Sequence, residues 1–136
     1  MTENIHALVR YRMEQAREAL DAARLLLERG HYPSAVNRAY YAMFYGVLGL
    51  LATLNKETTR HSGAIGLFDL HFVKTGTFPK EFSRWLHDAF DLRQRSDYIG
   101  KPTVILEDAT EAVSNASAFV DRVETVLQAQ GGSPET

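Results

Sequence analysis

Apolar side chains recur along this chain with the period of an α-helix. Ile5, Leu8, Val9, Ala16, Ala19, Leu20, Ala23, Leu26 and Leu27 share one stripe of a 3.6-residue repeat. They predict a first helix, with Thr2 placed to cap its start and Gly30 to end it in a left-handed turn. Pro33 opens a second helix at a first-turn position, where its missing N–H costs nothing. From Ala35 to Leu54 that segment is apolar nearly all round, as a central helix covered by its neighbours must be. The polar run from Asn55 to Arg60 reads as a loop. A shorter helix over about 62–74 follows, with Ile65, Phe68 and Phe72 on one face and Gly76 at its close. Pro79 starts a fourth, whose stripe is Phe82, Leu86 and Ala89 with Trp85 beside it, running to about Arg95 before the break at Gly100 and Pro102. The fifth carries Ala109, Ala112, Val113, Ala116, Phe119, Val120, Val123 and Leu127. No stretch alternates with a period of two. The prediction is an all-α fold, an antiparallel bundle of four to five helices. Residues 1–130 form one domain, and 131–136 a flexible C-terminal tail.

Composition narrows what such a bundle can do. With 136 residues the chain suits one core, and 45% apolar with 24% charged residues is ordinary for a globular protein. There is no cysteine, which excludes a disulfide scaffold, a Cys-ligated zinc, an iron–sulfur cluster and a thiol nucleophile. The N-terminus is charged and periodic, without the apolar core of a signal peptide. The most apolar run, Tyr41 to Leu54, falls short of the roughly 20 residues that a membrane span needs. A cytoplasmic protein with no membrane partner is expected.

The net charge of -2 argues against a sequence-independent nucleic-acid coat. It hides an asymmetry. Residues 1–104 carry 14 Lys and Arg against 11 Asp and Glu, a net of +3, whereas residues 105–136 carry one Arg against six Asp and Glu, a net of -5. A mildly basic body leaves room for a local phosphate site, and the acidic last helix suits a basic partner.

Familiar catalytic signatures are absent: no GxSxG, P-loop, HExxH or Rossmann fingerprint occurs. The five histidines are scattered. His87 and Asp91 sit one helical turn apart, a spacing that surface residues often reach, so no metal site and no cofactor is expected.

Polar groups on otherwise apolar faces say more. The stripe Phe82–Leu86–Ala89 continues by the same rotation to Arg93 and then Asp97, and an arginine at a core-facing position is costly unless it is paired or lines a cleft. Arg93 and Asp97 are also i, i+4 partners, the ordinary pairing of a helix surface. In the second helix Asn37 and Arg38 precede the most apolar run, and Tyr40, Tyr41 and Tyr45 crowd the same region. Tyrosine hydroxyls and Asn37 satisfying each other would explain this cluster as packing. The functional reading is a cleft where helices two and four meet, lined by Asn37, Arg38, Tyr41, Arg93 and Tyr98 with Arg95 and Asp97 nearby. Guanidinium groups beside aromatic hydroxyls suit a phosphate or nucleotide.

These residues carry a family resemblance. Gly30-His31-Tyr32-Pro33-Ser34-Ala35, then Asn37-Arg38-Ala39-Tyr40-Tyr41-Ala42-Met43-Phe44, resemble the HEPN domain family of prokaryotic proteins. So do Arg60-His61-Ser62-Gly63, Phe72-Val73-Lys74-Thr75-Gly76 and Arg93-Gln94-Arg95-Ser96-Asp97-Tyr98, in the same order, from about Ile5 to Leu127. The resemblance implies an all-α bundle, often a homodimer, with roles in toxin–antitoxin and other defence systems. It also implies a possible partner, a small nucleotidyltransferase of the MNT type. Many members are metal-independent ribonucleases in which an Arg is followed four to six residues later by a His. Arg93 matches that arginine, but Tyr98 stands where the histidine would be, and no histidine follows it. A tyrosine with pKa near 10 is a poor general base at neutral pH. The position two residues further on, where some members carry a tyrosine that the partner adenylylates, is Gly100 here.

The expectation from sequence is therefore a HEPN module that binds a nucleotide or RNA phosphate, acts with a nucleotidyltransferase and lacks full ribonuclease chemistry. The alternatives are an active ribonuclease toxin using Arg93 with Tyr98, or with His61 brought in from the loop before the third helix, and a purely structural bundle.

Overall fold

The computed structural model describes residues 2–58, 60–96 and 104–130, with nothing said of the side chain at 96. Among these residues the secondary structure is helical. The elements are α1 (Glu3–Glu28), α2 (Tyr32–Thr53), α3 (His61–Phe68) running on into a π-helical segment (Asp69–Val73), α4 (Lys80–Ser96) and α5 (Leu106–Ala129). The tail expected at 131–136 lies outside the described residues.

Local chemistry sets the boundaries. The Thr2 hydroxyl accepts the Ile5 N–H at 3.2 Å, the expected N-cap. Gly30 takes φ +79° just past α1, where an L side chain would be strained. Pro33 lies in the first turn of α2. That helix ends where Asn55 adopts φ 55°, a conformation that asparagine tolerates better than most residues. At the start of α5 the Asp108 carboxylate reaches back to accept the Ile105 N–H at 3.2 Å.

The third helix departs from the expected regular α-helix. Its second half widens into a π turn in which the Lys74 N–H bonds the Asp69 carbonyl at 2.8 Å, five residues back. Phe68 and Phe72 both stay buried across it, and with Phe78, Phe82 and Phe119 they make a dry aromatic cluster whose neighbouring rings lie 5.1–6.2 Å apart. The widened turn presents Asp69 to α4. Its carboxylate accepts the Ser83 hydroxyl at 2.6 Å and meets His87 Nε2 at 2.9 Å. His87 thus finds its partner on another element, and not in Asp91.

The four long helices run up-down-up-down. Arg12 and Met13 of α1 lie against Gly49 of α2, and Arg17 reaches Asp121 and Glu124 of α5 while Arg24 reaches Ser117. Phe82 of α4 packs on Phe119, and Phe90 on Tyr40 of α2. Helix α2 touches all the others, and from Ala35 to Ala52 most of its side chains are buried, which is why its sequence is apolar on every side. Gly46 is required by that centrality. A Cβ there would meet Val123 Cγ2 of α5 at 3.3 Å. No helix among the described residues is long and apolar enough to cross a membrane.

Candidate functional site

One face of α2 departs from the hydrocarbon core around it. Tyr40, Tyr41 and Phe44 fall within one turn, and α3 and α4 bring His61, Phe90 and Arg93 against them. Tyr40 is fully buried, and its ring lies 5.3 Å from Tyr41 and 5.6 Å from Phe90. The Arg93 guanidinium carbon sits 5.1 Å from the Tyr41 ring centre and 5.5 Å from that of Tyr40. Arg38 approaches the same Tyr41 ring to 4.9 Å. Two cations therefore converge on one aromatic ring, each held by the negative face of the π system. Asn37 Oδ1 accepts from Arg38 Nη2 at 3.1 Å and from Nε at 3.3 Å. This is a fork held by a neutral acceptor, which leaves the full positive charge in place.

His61 is the first residue of α3. Arg60 before it is extended, and the Arg60 N–H bonds Thr58 Oγ1 at 3.2 Å. Gly63 lets that loop fold close, since a Cβ there would meet Thr58 Oγ1 at 3.0 Å. The result sets the His61 ring parallel to Phe44, 4.2 Å between centres and 4° between planes, with Nδ1 2.6 Å from the Tyr40 hydroxyl.

The electrostatics follow from burial. Burial pushes the Tyr40 phenol well above its ordinary pKa of 10, against the pull of Arg93, so it stays a neutral hydroxyl. The His61 pKa is lowered from 6.5, first by burial and then by the positive charge of Arg93, so the imidazole is neutral at pH 7. The site therefore pairs fixed cations with neutral hydrogen-bonding groups, one of which is a nitrogen base.

Of the residues singled out from sequence, the structure brings together Arg38, Tyr41, His61 and Arg93, with Asn37 behind Arg38. Asp97 and Tyr98 lie outside the described residues. Arg95 faces elsewhere, into a groove between α4 and α5 shared with Trp85, Asp88, Asp91, Asp108 and Glu111. The idea that Asn37 and the tyrosine hydroxyls satisfy each other is corrected: Asn37 bonds Arg38, and the Tyr40 hydroxyl bonds His61. Tyr40 and Phe44, the groups that seat the histidine, were visible only as core aromatics. Their i, i+4 spacing marked a shared face, but nothing local showed that a ring 17 residues beyond Phe44 would stack on it.

Comparison with known proteins decides the family. The HEPN domain profile matches residues 9–126. The chain belongs to the HEPN domain family. A Methanocaldococcus jannaschii protein named "Putative toxin MJ0605" is 39% identical over 127 residues, covering 93% of this chain and 90% of that one. A UPF0332 protein of Thermotoga maritima is 36% identical over 121 residues, covering 89% and 92%. Among solved structures, an archaeal HEPN homologue, ST0689, superposes with a TM-score of 0.66 at 22% identity, over 88% of this chain and 97% of that one. TT1696 from Thermus thermophilus gives 0.73 at 21%, over 86% and 96%. These likenesses bear out the HEPN resemblance read from the sequence blocks and the all-α bundle expected with it.

Proposed function

We propose that this HEPN protein is of the toxin type named for its relative, and that its cleft binds the phosphate of a nucleotide or of RNA. The observation that carries this reading is the convergence of Arg38 and Arg93 on Tyr41, at 4.9 and 5.1 Å, beside a neutral histidine and a neutral phenol. Guanidinium groups form short, charge-assisted hydrogen bonds to phosphate oxygens, which is the chemistry a phosphate site needs. The phosphate fits the guanidinium forks, and the aromatic rings offer a surface for a base. Tyr98 at the position of the motif histidine fits a module with weakened cleavage chemistry that acts with an MNT-type nucleotidyltransferase, as a homodimer in the cytoplasm. Calorimetric titration with AMP and with short RNAs tests the cleft. Saturable binding that Arg93→Ala and Arg38→Ala each weaken at least tenfold is expected, and no saturable binding by the wild-type protein overturns the reading.

The placement of His61 favours a second reading, an active metal-independent ribonuclease. A neutral imidazole within the field of Arg93 is suited to take the proton of a ribose 2′-hydroxyl. The 2′-oxygen would then attack the phosphorus and displace the 5′-oxygen, which recovers a proton from the imidazolium and leaves a 2′,3′-cyclic phosphate. Arg93 would offset the charge gathering on the non-bridging oxygens. Growth arrest on induced expression, abolished by both Arg93→Ala and His61→Ala, would establish this reading over the binding module.

A further inference from the structure

The groove that Arg95 enters, on the far side of α4 from the cleft, takes no part in the reading above. It exists because of where two alanines fall. Phe82 of α4 packs on Phe119 of α5, 5.7 Å between ring centres. The two helices are antiparallel, so seven residues on along α4 and seven back along α5, Ala89 comes opposite Ala112. A methyl group on each side does not fill the space that two phenyl rings fill further along. What remains is an open groove of about 470 Å³, with buried Met43 of α2 beneath it and both alanines in its lining.

The walls are acidic. Asp88 and Asp91 of α4 face Asp108 and Glu111 of α5, and among the described lining residues Arg95 is the single cation. Further along α5 the acidic side chains serve the fold, since Arg17 takes both Asp121 and Glu124. Among the described residues no ion pair includes any of the four carboxylates of the groove. Asp108 caps α5 through the Ile105 N–H, and the other three face the groove without such a task. Carboxylates gathered on both walls set up a negative potential that favours a cationic partner.

Charge is only half of the surface. Trp85 lines one end of the groove, half-buried, with its ring 4.6 Å from that of Phe82. At the other end Ile105, one turn before Asp108, is 57% exposed. A small hydrated cation has no use for either, whereas tryptophan is enriched at the energetic centre of protein interfaces. From Trp85 to Arg95 the α4 wall runs ten residues, about 15 Å or roughly three helical turns. The walls are helices and offer no strand edge, so the segment that fits is one that satisfies its own backbone, a helix. A second copy meeting this groove symmetrically would set four carboxylates against four, which disfavours self-association here.

We propose that the α4–α5 groove docks a basic amphipathic helix of a partner protein. Apolar side chains of that helix lie over Trp85 and the two alanines, and Lys or Arg on its flanks reach the carboxylates of α4 and α5. The groove and the cleft use opposite sides of α4, so this inference does not rest on the phosphate reading.

Trp85 is the chain's one tryptophan, so its emission reports on the groove directly. The probe is a blocked 14-residue peptide of Leu and Lys in helical register, without aromatic residues, titrated in 150 mM NaCl. Two control peptides replace Lys by Glu, or keep the composition and break the register. The proteins compared are the wild type, the groove variant Asp88→Asn/Asp91→Asn/Glu111→Gln, and a charge-matched variant of exposed α1 residues, Glu14→Gln/Glu18→Gln/Glu28→Gln. Asp108 is left in place because it caps α5. Each protein is checked for wild-type circular dichroism. A saturable blue shift of Trp85 emission is expected with the basic amphipathic peptide alone. The groove variant is expected to weaken it at least tenfold, and the α1 variant less than twofold. Equal weakening in both variants would reduce the effect to net charge and overturn the proposal. Equal binding of the peptide without helical register would do the same, as would the lack of a saturable shift in the wild type.

Discussion

The Tyr40 hydroxyl lies 2.6 Å from Nδ1 of His61, joining the buried core of α2 to the first turn of α3. Because burial keeps the phenol protonated, the proton in this bond is shared between two neutral groups, and the tautomer of His61 decides the chemistry. If Tyr40 donates, Nε2 carries the ring proton and His61 is a hydrogen-bond donor to phosphate. If Nδ1–H donates, Nε2 is the free base that a ribonuclease needs. The 15N shifts of His61 distinguish the two. Tyr40→Phe is expected to scramble this preference and to destabilise the fold by about 0.5–1.5 kcal/mol, the net worth of one hydrogen bond, in urea unfolding. A single tautomer persisting unchanged in Tyr40→Phe would show that Tyr40 does not set it.

The lowered His61 pKa predicts a pH dependence. As pH falls through 6.5 the unfolded chain takes up a proton on this ring before the folded protein does. This group's contribution is full above 6.5. It declines as pH falls through 6.5 and levels off below the folded pKa. The urea midpoints of wild type and His61→Gln are therefore expected to converge between pH 7.5 and pH 5.5. A gap of constant size would show that the folded ring titrates normally.

Arg93 is the second cause of that shift, after burial. Arg93→Gln removes a repelling charge, so the His61 pKa is expected to rise toward 6.5 without reaching it. An NMR titration of the ring protons checks this. A wild-type value in the variant would break the electrostatic link on which the cleft reading depends.

At the crossing of α2 and α5, Gly46→Leu forces a side chain into Val123, which already lies 3.3 Å from the position of a Cβ. A loss of about 3 kcal/mol in denaturant unfolding is expected, from overpacking a core with no room to give. Wild-type stability would mean that the two helices can separate freely here.

Asp69 ties the π segment to α4 through Ser83 and His87. Asp69→Ala is expected to cost about 1–2 kcal/mol, since two hydrogen bonds go and the Ser83 hydroxyl loses its acceptor. Thermal unfolding measures it. A change within error would mark the bonds as incidental surface contacts.

The regular part of the fold was written in the apolar period. Leu20, Leu86 and Phe119 fall on the predicted stripes, Met43 and Leu50 in the segment read as apolar all round, and all are buried, because a helical repeat and a shared core are one constraint. The π turn at 69–73 left no such mark. It keeps Phe68 and Phe72 on Phe78 and brings Phe68 against Phe119 of α5, and this last contact lies far outside a local window. The same distinction divides the candidate site. Arg93 stood out because it broke a stripe, and Arg38 because it preceded an apolar run. His61 carried only a family resemblance and a place in a loop, since its role depends on contacts with Tyr40 and Phe44 made across a chain reversal. Arg95 was placed near the same cleft in sequence, yet two residues on a helix are about 200° apart, and it turns to the opposite groove.

The central position of α2 gives the cleft two halves of unequal firmness. Arg38, Tyr40, Tyr41 and Phe44 hang from a helix whose other faces hold the bundle together, so this wall can be released only by opening the whole molecule. His61 rides on an eight-residue helix reached through a loop, where opening breaks far fewer contacts. In hydrogen–deuterium exchange the amides of α2 would exchange at the global unfolding limit and those of the first turn of α3 well before it. The protein would then keep Arg38 and the aromatic wall fixed while its histidine arrives and departs.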